Sequence, residues 1–120
     1  MEKPGAELHQ HNSLETLRWS AEEKKIARRA FDMALQRELD TIVEKVKQMA
    51  HDIKQPSDLW EMEEYLTRSR KAIDSKYDYR YSQLPVVFGQ LVRGGFIRVE
   101  DLQGLGEDKL RYILMVAGFR

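Results

Sequence analysis

Residues 21–53, AEEKKIARRAFDMALQRELDTIVEKVKQMAHDI, run for 33 positions without a glycine or a proline. The second half carries Leu35, Leu39, Ile42, Val46, Met49 and Ile53 at spacings of 4, 3, 4, 3 and 4. That is the a/d seam of a heptad repeat. Upstream, Ile26, Ala27, Ala30, Phe31 and Ala34 continue the stripe with a stutter, since Phe31, Leu35 and Leu39 are spaced 4 and 4. Ser20 is placed to cap this helix, and Glu23, three residues on, completes a capping box. Trp19 stands where a hydrophobic staple would begin, but the matching inner position is Lys24, so no staple forms. A helix of this length extends for about 50 Å. A compact domain of this size has a radius of gyration of only ~13–14 Å. The rest of the chain therefore cannot cover the helix along its whole length, and a partner is expected, most simply a second copy.

Downstream, Gln55-Pro56-Ser57 breaks the helix and starts another, because the residue before a proline avoids the helical region and Ser57 is a suitable cap. Leu59, Met62, Leu66, Ile73 and Tyr77 then mark one face of a second helix, read as running from Ser57 to Ser82. The short connection makes the two helices antiparallel neighbours. Ser82 is expected to cap a third helix with Pro85 in its first turn, where the missing N–H is harmless. Leu84, Val87, Phe88, Leu91 and Val92 supply its apolar side, and Gly94-Gly95 ends it. A short helical turn around residues 99–102 and a last helix over 107–117 follow. No alternating strand pattern is present. The expectation is an all-α fold: a long antiparallel helical hairpin over residues 20–82 that also dimerises, and a small helical head over 83–120. Residues 1–19 are read as a mobile tail, with a turn of helix near Leu14 and Leu17.

Lys plus Arg number 20 and Asp plus Glu number 20, so the formal net charge is zero. A neutral chain has no long-range field to draw in phosphate backbones, which argues against nucleic-acid binding and does not oppose self-association. With no cysteine there is no disulfide, zinc–thiolate site or thiol nucleophile. The N-terminal residues lack an apolar signal segment, and Leu84 to Phe88, the longest apolar run, is too short to span a bilayer. A cytoplasmic protein is expected.

No chemistry is visible. The glycines match neither dinucleotide-binding nor phosphate-binding loops, and the residues three before His9, His11 and His51 are Ala6, Leu8 and Gln48, which rules out a Glu-x-x-His metal site. Glu61, Glu63 and Glu64 crowd the start of the second helix, where negative charge is favoured anyway, and Glu64 precedes Arg68 by four, a helical ion-pair spacing. Neither a catalytic residue nor a cofactor or metal is expected. Trp60 stands out. It lies about 120° from the centre of the apolar arc, beside Glu64, Thr67, Lys71 and Asp74, with Glu63 and Arg70 between. Tryptophan and arginine bordered by charges are typical of interface hot spots, so Trp60 is read as a binding residue rather than core. Tyr77, Tyr79 and Tyr81 are read as packing between helices two and three.

Residues 58–97, DLWEMEEYLTRSRKAIDSKYDYRYSQLPVVFGQLVRGGFI, resemble the core of the fluorescence recovery protein family of cyanobacteria. The likeness lies in the tryptophan, the KYDYRYS run, the V-F-x-x-L-x-x-x-G-x-I segment and the following E-D-L-x-G-L. AFDMALQRELD is similar to the family's first helix. The resemblance implies a non-enzymatic helical homodimer that binds photoactivated orange carotenoid protein and speeds its return to the resting state. It also implies a partner-binding patch made of a tryptophan, a histidine–aspartate pair one turn later and an arginine. Those positions are Trp60, Glu63, Glu64 and Arg70 here. Glu64 keeps the charge with one methylene more reach, and Glu63 puts an anion where the family has an imidazole. A second reading is a helical adaptor dimer whose protein partner is a different one.

Overall fold

The structure, a computed structural model, describes Leu14 and residues 17–119. From Ala21 on, the described residues form four α-helices and one short 3-10 turn in order: α1 (Ala21–His51), α2 (Ser57–Lys76), α3 (Leu84–Arg93), the 3-10 turn (Val99–Leu102) and α4 (Glu107–Ala117). No strand forms among the described residues. Of the helical turn expected near Leu14 and Leu17, only those two residues are described, and His9 and His11 lie outside the described residues.

α1 starts as its sequence requires. The Ser20 hydroxyl accepts from the Glu23 N–H at 3.1 Å, and the Glu23 carboxylate accepts from the Ser20 N–H at 2.9 Å. The helix ends at His51, two residues before Ile53, with the Asp52 N–H turned onto Gln48 and Met49 carbonyls. The other two expected caps are different in fact. Ser57 is the first residue of α2, because Pro56 itself takes helical angles (φ −56°, ψ −33°) and occupies the cap position. The carboxylate of Asp58 reaches back instead and accepts from the N–H groups of Lys54 and Gln55 at 2.9 and 3.2 Å. Ser82 does not cap α3 either, since Gln83 precedes the helix with no side-chain cap, and the Arg80 carbonyl closes the turn by accepting from Gln83 and Leu84. Pro85 does fall in the first turn of α3. α3 ends at Gly94-Gly95, where Gly95 takes φ +83° and the Phe96 N–H reaches the Leu91 carbonyl at 3.0 Å, which satisfies the last carbonyls.

The core lies at one end. Ile26, Ala27, Ala30, Phe31 and Ala34 from the first half of α1 pack with Leu84, Val87, Phe88, Leu91, Ile97, Leu102, Leu105 and Ile113. Alanines at three of the five α1 positions let the other helices come close. Gly104, at φ +108°, is pressed against Ile26, whose Cδ1 would lie 2.5 Å from any added Cβ. Trp19, read as tail, instead packs on this core, its ring 5.4 Å from Tyr81. The reason is that the head offers it an apolar floor that its own helix lacks.

Beyond Ala34 nothing on α1 is buried, and α2 buries no residue at all. These two lengths form an arm that projects from the core. The molecule measures 67 × 31 × 26 Å with a radius of gyration of 18.5 Å, well above the ~13–14 Å of a compact chain of this length.

Candidate functional site

The second half of α1 and the whole of α2 carry the candidate site. They are joined at the core end by Glu38, which accepts from Lys76 Nζ and from the Tyr77 hydroxyl, both at 2.8 Å. Burial, reinforced by the Glu38 carboxylate, raises the Tyr77 hydroxyl far above its ordinary range. Phe31 meets Tyr77 and Tyr79 edge-on at 5.3 and 4.8 Å, Tyr79 meets Tyr81 at 5.6 Å, and the Arg28 guanidinium lies 3.7 Å from the Tyr79 ring centre. The three tyrosines are thus used in packing, which fixes where α2 leaves the core.

Along the arm the apolar stripe is half open. Leu35, Ile42, Val46, Met49 and Ile53 are only half-buried, and Leu39, Leu59 and Leu66 are exposed. Val43 is 49% exposed. The seam expected from the spacing did not include it, although it stands four residues after Leu39 and three before Val46 and so widens the same stripe. Large apolar side chains left open in a contiguous row mark a surface that another molecule covers.

Trp60, in the first turn of α2, is 64% exposed. Glu63 and Glu64, one turn on, are exposed and line a shallow cleft of about 360 Å³ with Thr67 and Arg68. The ion pair expected between Glu64 and Arg68 is not made. Arg68 Nε instead donates to the Glu64 backbone carbonyl at 3.4 Å, because a solvated pair on one helix gains only ~0.3–0.5 kcal/mol and does not hold the side chains together. Arg70 is exposed and stands 3.9 Å from Asp74 Oδ2. It lines a different opening, a groove of about 310 Å³ between α1 and α2 with Leu39, Ile42, Leu66, Ser69 and Ile73. Ten residues separate it from Trp60, about 15 Å along the helix axis. The four residues therefore share one helix without forming one cluster. Trp60, Glu63 and Glu64 sit together near the tip of the arm, and Arg70 borders the inter-helix groove nearer the core.

Such an arrangement can bind a surface and shows no catalytic constellation. Among the described residues no group of histidines and carboxylates is placed to hold a metal ion, and no helix is long and apolar enough to cross a membrane.

Comparison with known proteins bears on the same residues. The family model described as the photoprotection regulator fluorescence recovery protein matches residues 19–117. The fluorescence recovery protein of Synechocystis sp. is 39% identical over 99 residues, which cover 82% of this chain and 91% of the relative. Solved structures of the fluorescence recovery proteins from Fremyella diplosiphon and Synechocystis sp. superpose with a TM-score of 0.81 each, at 35% and 38% identity. Each match covers 85% of this chain and all of the other.

Proposed function

The chain belongs to the fluorescence recovery protein family, a family of photoprotection regulators, and from that membership we propose that it is a non-enzymatic regulator of orange carotenoid protein. It binds the photoactivated form of that protein and promotes its return to the resting state. It acts in the cytoplasm as a homodimer without a cofactor. Residues 20–82 form a helical hairpin that carries the dimer contact, and residues 83–120 form the head. Trp60, Glu63, Glu64 and Arg70 belong to the partner-binding surface.

One observation carries this reading: Trp60 stands 64% exposed on a helix that buries none of its own residues. An exposed indole adds nothing to the fold, and burying it on a partner gains the largest apolar contact available to any side chain. The half-open stripe on α1 and α2 supports the dimer, since a second copy with the same stripe would cover it.

The mechanism is a shift of populations. A regulator without chemistry of its own can move a two-state partner only by binding one state more tightly, and each ~1.4 kcal/mol of preference moves the equilibrium tenfold. Mixing the chain with photoactivated orange carotenoid protein is expected to shorten its dark recovery, followed by absorbance. Unchanged recovery together with no co-elution would overturn the proposal.

The second reading is an adaptor dimer for another protein. It is favoured by Glu63, which presents an exposed anion where the family resemblance implies a histidine. On that reading Trp60→Ala weakens the dimer and the chain leaves recovery of the carotenoid protein untouched.

A further inference from the structure

Lys109 occupies the third position of α4 and is only 3% exposed. A buried ammonium is uncommon, and the first turn of a helix is the end where the backbone dipole opposes positive charge. The compensation comes from the far side of the chain. Lys109 Nζ lies 3.1 Å from Glu23 Oε2 on α1, and 3.6 Å from the neighbouring Asp108 Oδ1. The same Glu23 oxygen accepts at 2.7 Å from the N–H of Gly106, the residue that begins α4. Its other oxygen closes the cap on Ser20. One carboxylate, 9% exposed, therefore serves the N-termini of two helices.

We propose that Glu23 and Lys109 form a latch between the start of α1 and the start of α4. The latch is closed only while the Glu23 carboxylate is ionised. Neutralising it lets residues 103–106 and the first turn of α4 come away from α1, while α3 stays in place.

Neutralising Glu23 has two costs of the same sign. The Gly106 N–H loses a charged acceptor, and Lys109 is left buried at the positive end of a helix with Asp108 as the remaining anion among the described residues. Apolar packing opposes the movement only where Gly104 meets Ile26 and where Leu105 enters the core, while the neighbouring α1 core positions Ala27 and Ala30 offer small side chains. The far half of α4 is held much more firmly. A Cβ at Gly89 of α3 would meet Val116 Cβ at 2.5 Å, so the two helices touch backbone to side chain there.

Among the described residues, Lys109 is the charged group within ion-pair distance of Glu23, and Asp108 acts on Glu23 through it. Ser20, Trp19 and Gly106 bring no charge. Burial pushes the Glu23 carboxyl up, but the N–H groups of Ser20 and Gly106, with Lys109, outweigh it and hold it below its ordinary value of 4.5. A depressed value in the folded state means that the latch contributes above that pH and is lost as pH falls through the folded value.

The test is hydrogen exchange on the full chain at pH 7, comparing wild type, E23Q and the double variant E23Q/K109M. In E23Q, protection of residues 105–110 is expected to fall roughly tenfold or more while α3 keeps its own. The double variant should regain part of the loss, because it no longer buries an uncompensated ammonium. Unaltered protection, an equal fall in α3, or a double variant no better than E23Q would each overturn the latch. A wild-type series from pH 7 to pH 3, corrected for intrinsic rates, reads the same device without a substitution. Residues 105–110 must open before α3, and simultaneous opening also overturns it.

Discussion

Trp60 and Trp19 are the chain's two tryptophans, and their environments are opposite. Trp60 was legible as a surface residue because its place on the helical wheel depends on nothing beyond its own helix. Trp19 was not, because its packing partner Tyr81 is sixty-two positions away and the local staple it lacks is the only nearby cue. The difference sets a prediction at this scale. Trp60→Ala should leave thermal stability within about 0.5 kcal/mol of wild type, as for other exposed positions. The same substitution should weaken capture of the partner by tenfold or more, the range of an interface hot spot. A pull-down and a melting curve on one preparation check both, and an unchanged pull-down would remove Trp60 from the binding surface. Glu63 and Glu64 were legible in position but not in company, since the structure shows Arg68 turned to the backbone rather than to Glu64.

Most helix ends were readable to within a residue or two, because stripe spacing, glycine stops and the Ser20–Glu23 box are all short-range features. The exception is α2, read as running to Ser82, which stops at Lys76, where Tyr77 and Tyr79 turn into the core instead. Two start signals failed for short-range reasons as well. Pro56 already carries helical angles and displaces Ser57 from the cap, and the Arg80 carbonyl does for α3 what Ser82 was expected to do. A proline with its φ preset, or a carbonyl that folds back by a turn, competes with a serine on equal terms. The pairing of α3 with α4 is a different matter. Gly89 reads as a weak point in a helix, yet it lies where Val116 and the Ile113 carbonyl leave no room for a methyl group. Gly89→Ala should therefore destabilise the protein by about 1–3 kcal/mol although alanine is the better helix former. Urea unfolding measures this, and a gain in stability would contradict the close approach.

For the whole molecule the governing fact is that one core, at one end, must anchor an arm with an open apolar stripe. A second copy is the expected cover. Light scattering should give twice the 14.1 kDa chain mass, and Val43→Glu, which puts a charge in the middle of the stripe, should shift the protein towards the single-chain mass. A single-chain mass for the wild type would sink the dimer. The amino-acid sequence by itself determined the all-helical class, the length of α1, the surplus of apolar surface along it and the odd placement of Trp60. All of these follow from spacings within a few turns of one helix. Only the tertiary structure decided that Trp19 packs against the core, that the first half of α1 is shared with the head, and that Glu23 reaches Gly106 and Lys109. Contacts across eighty residues leave no periodic trace, since a capping glutamate and a lysine in a helix's first turn have the same letters whether or not they meet.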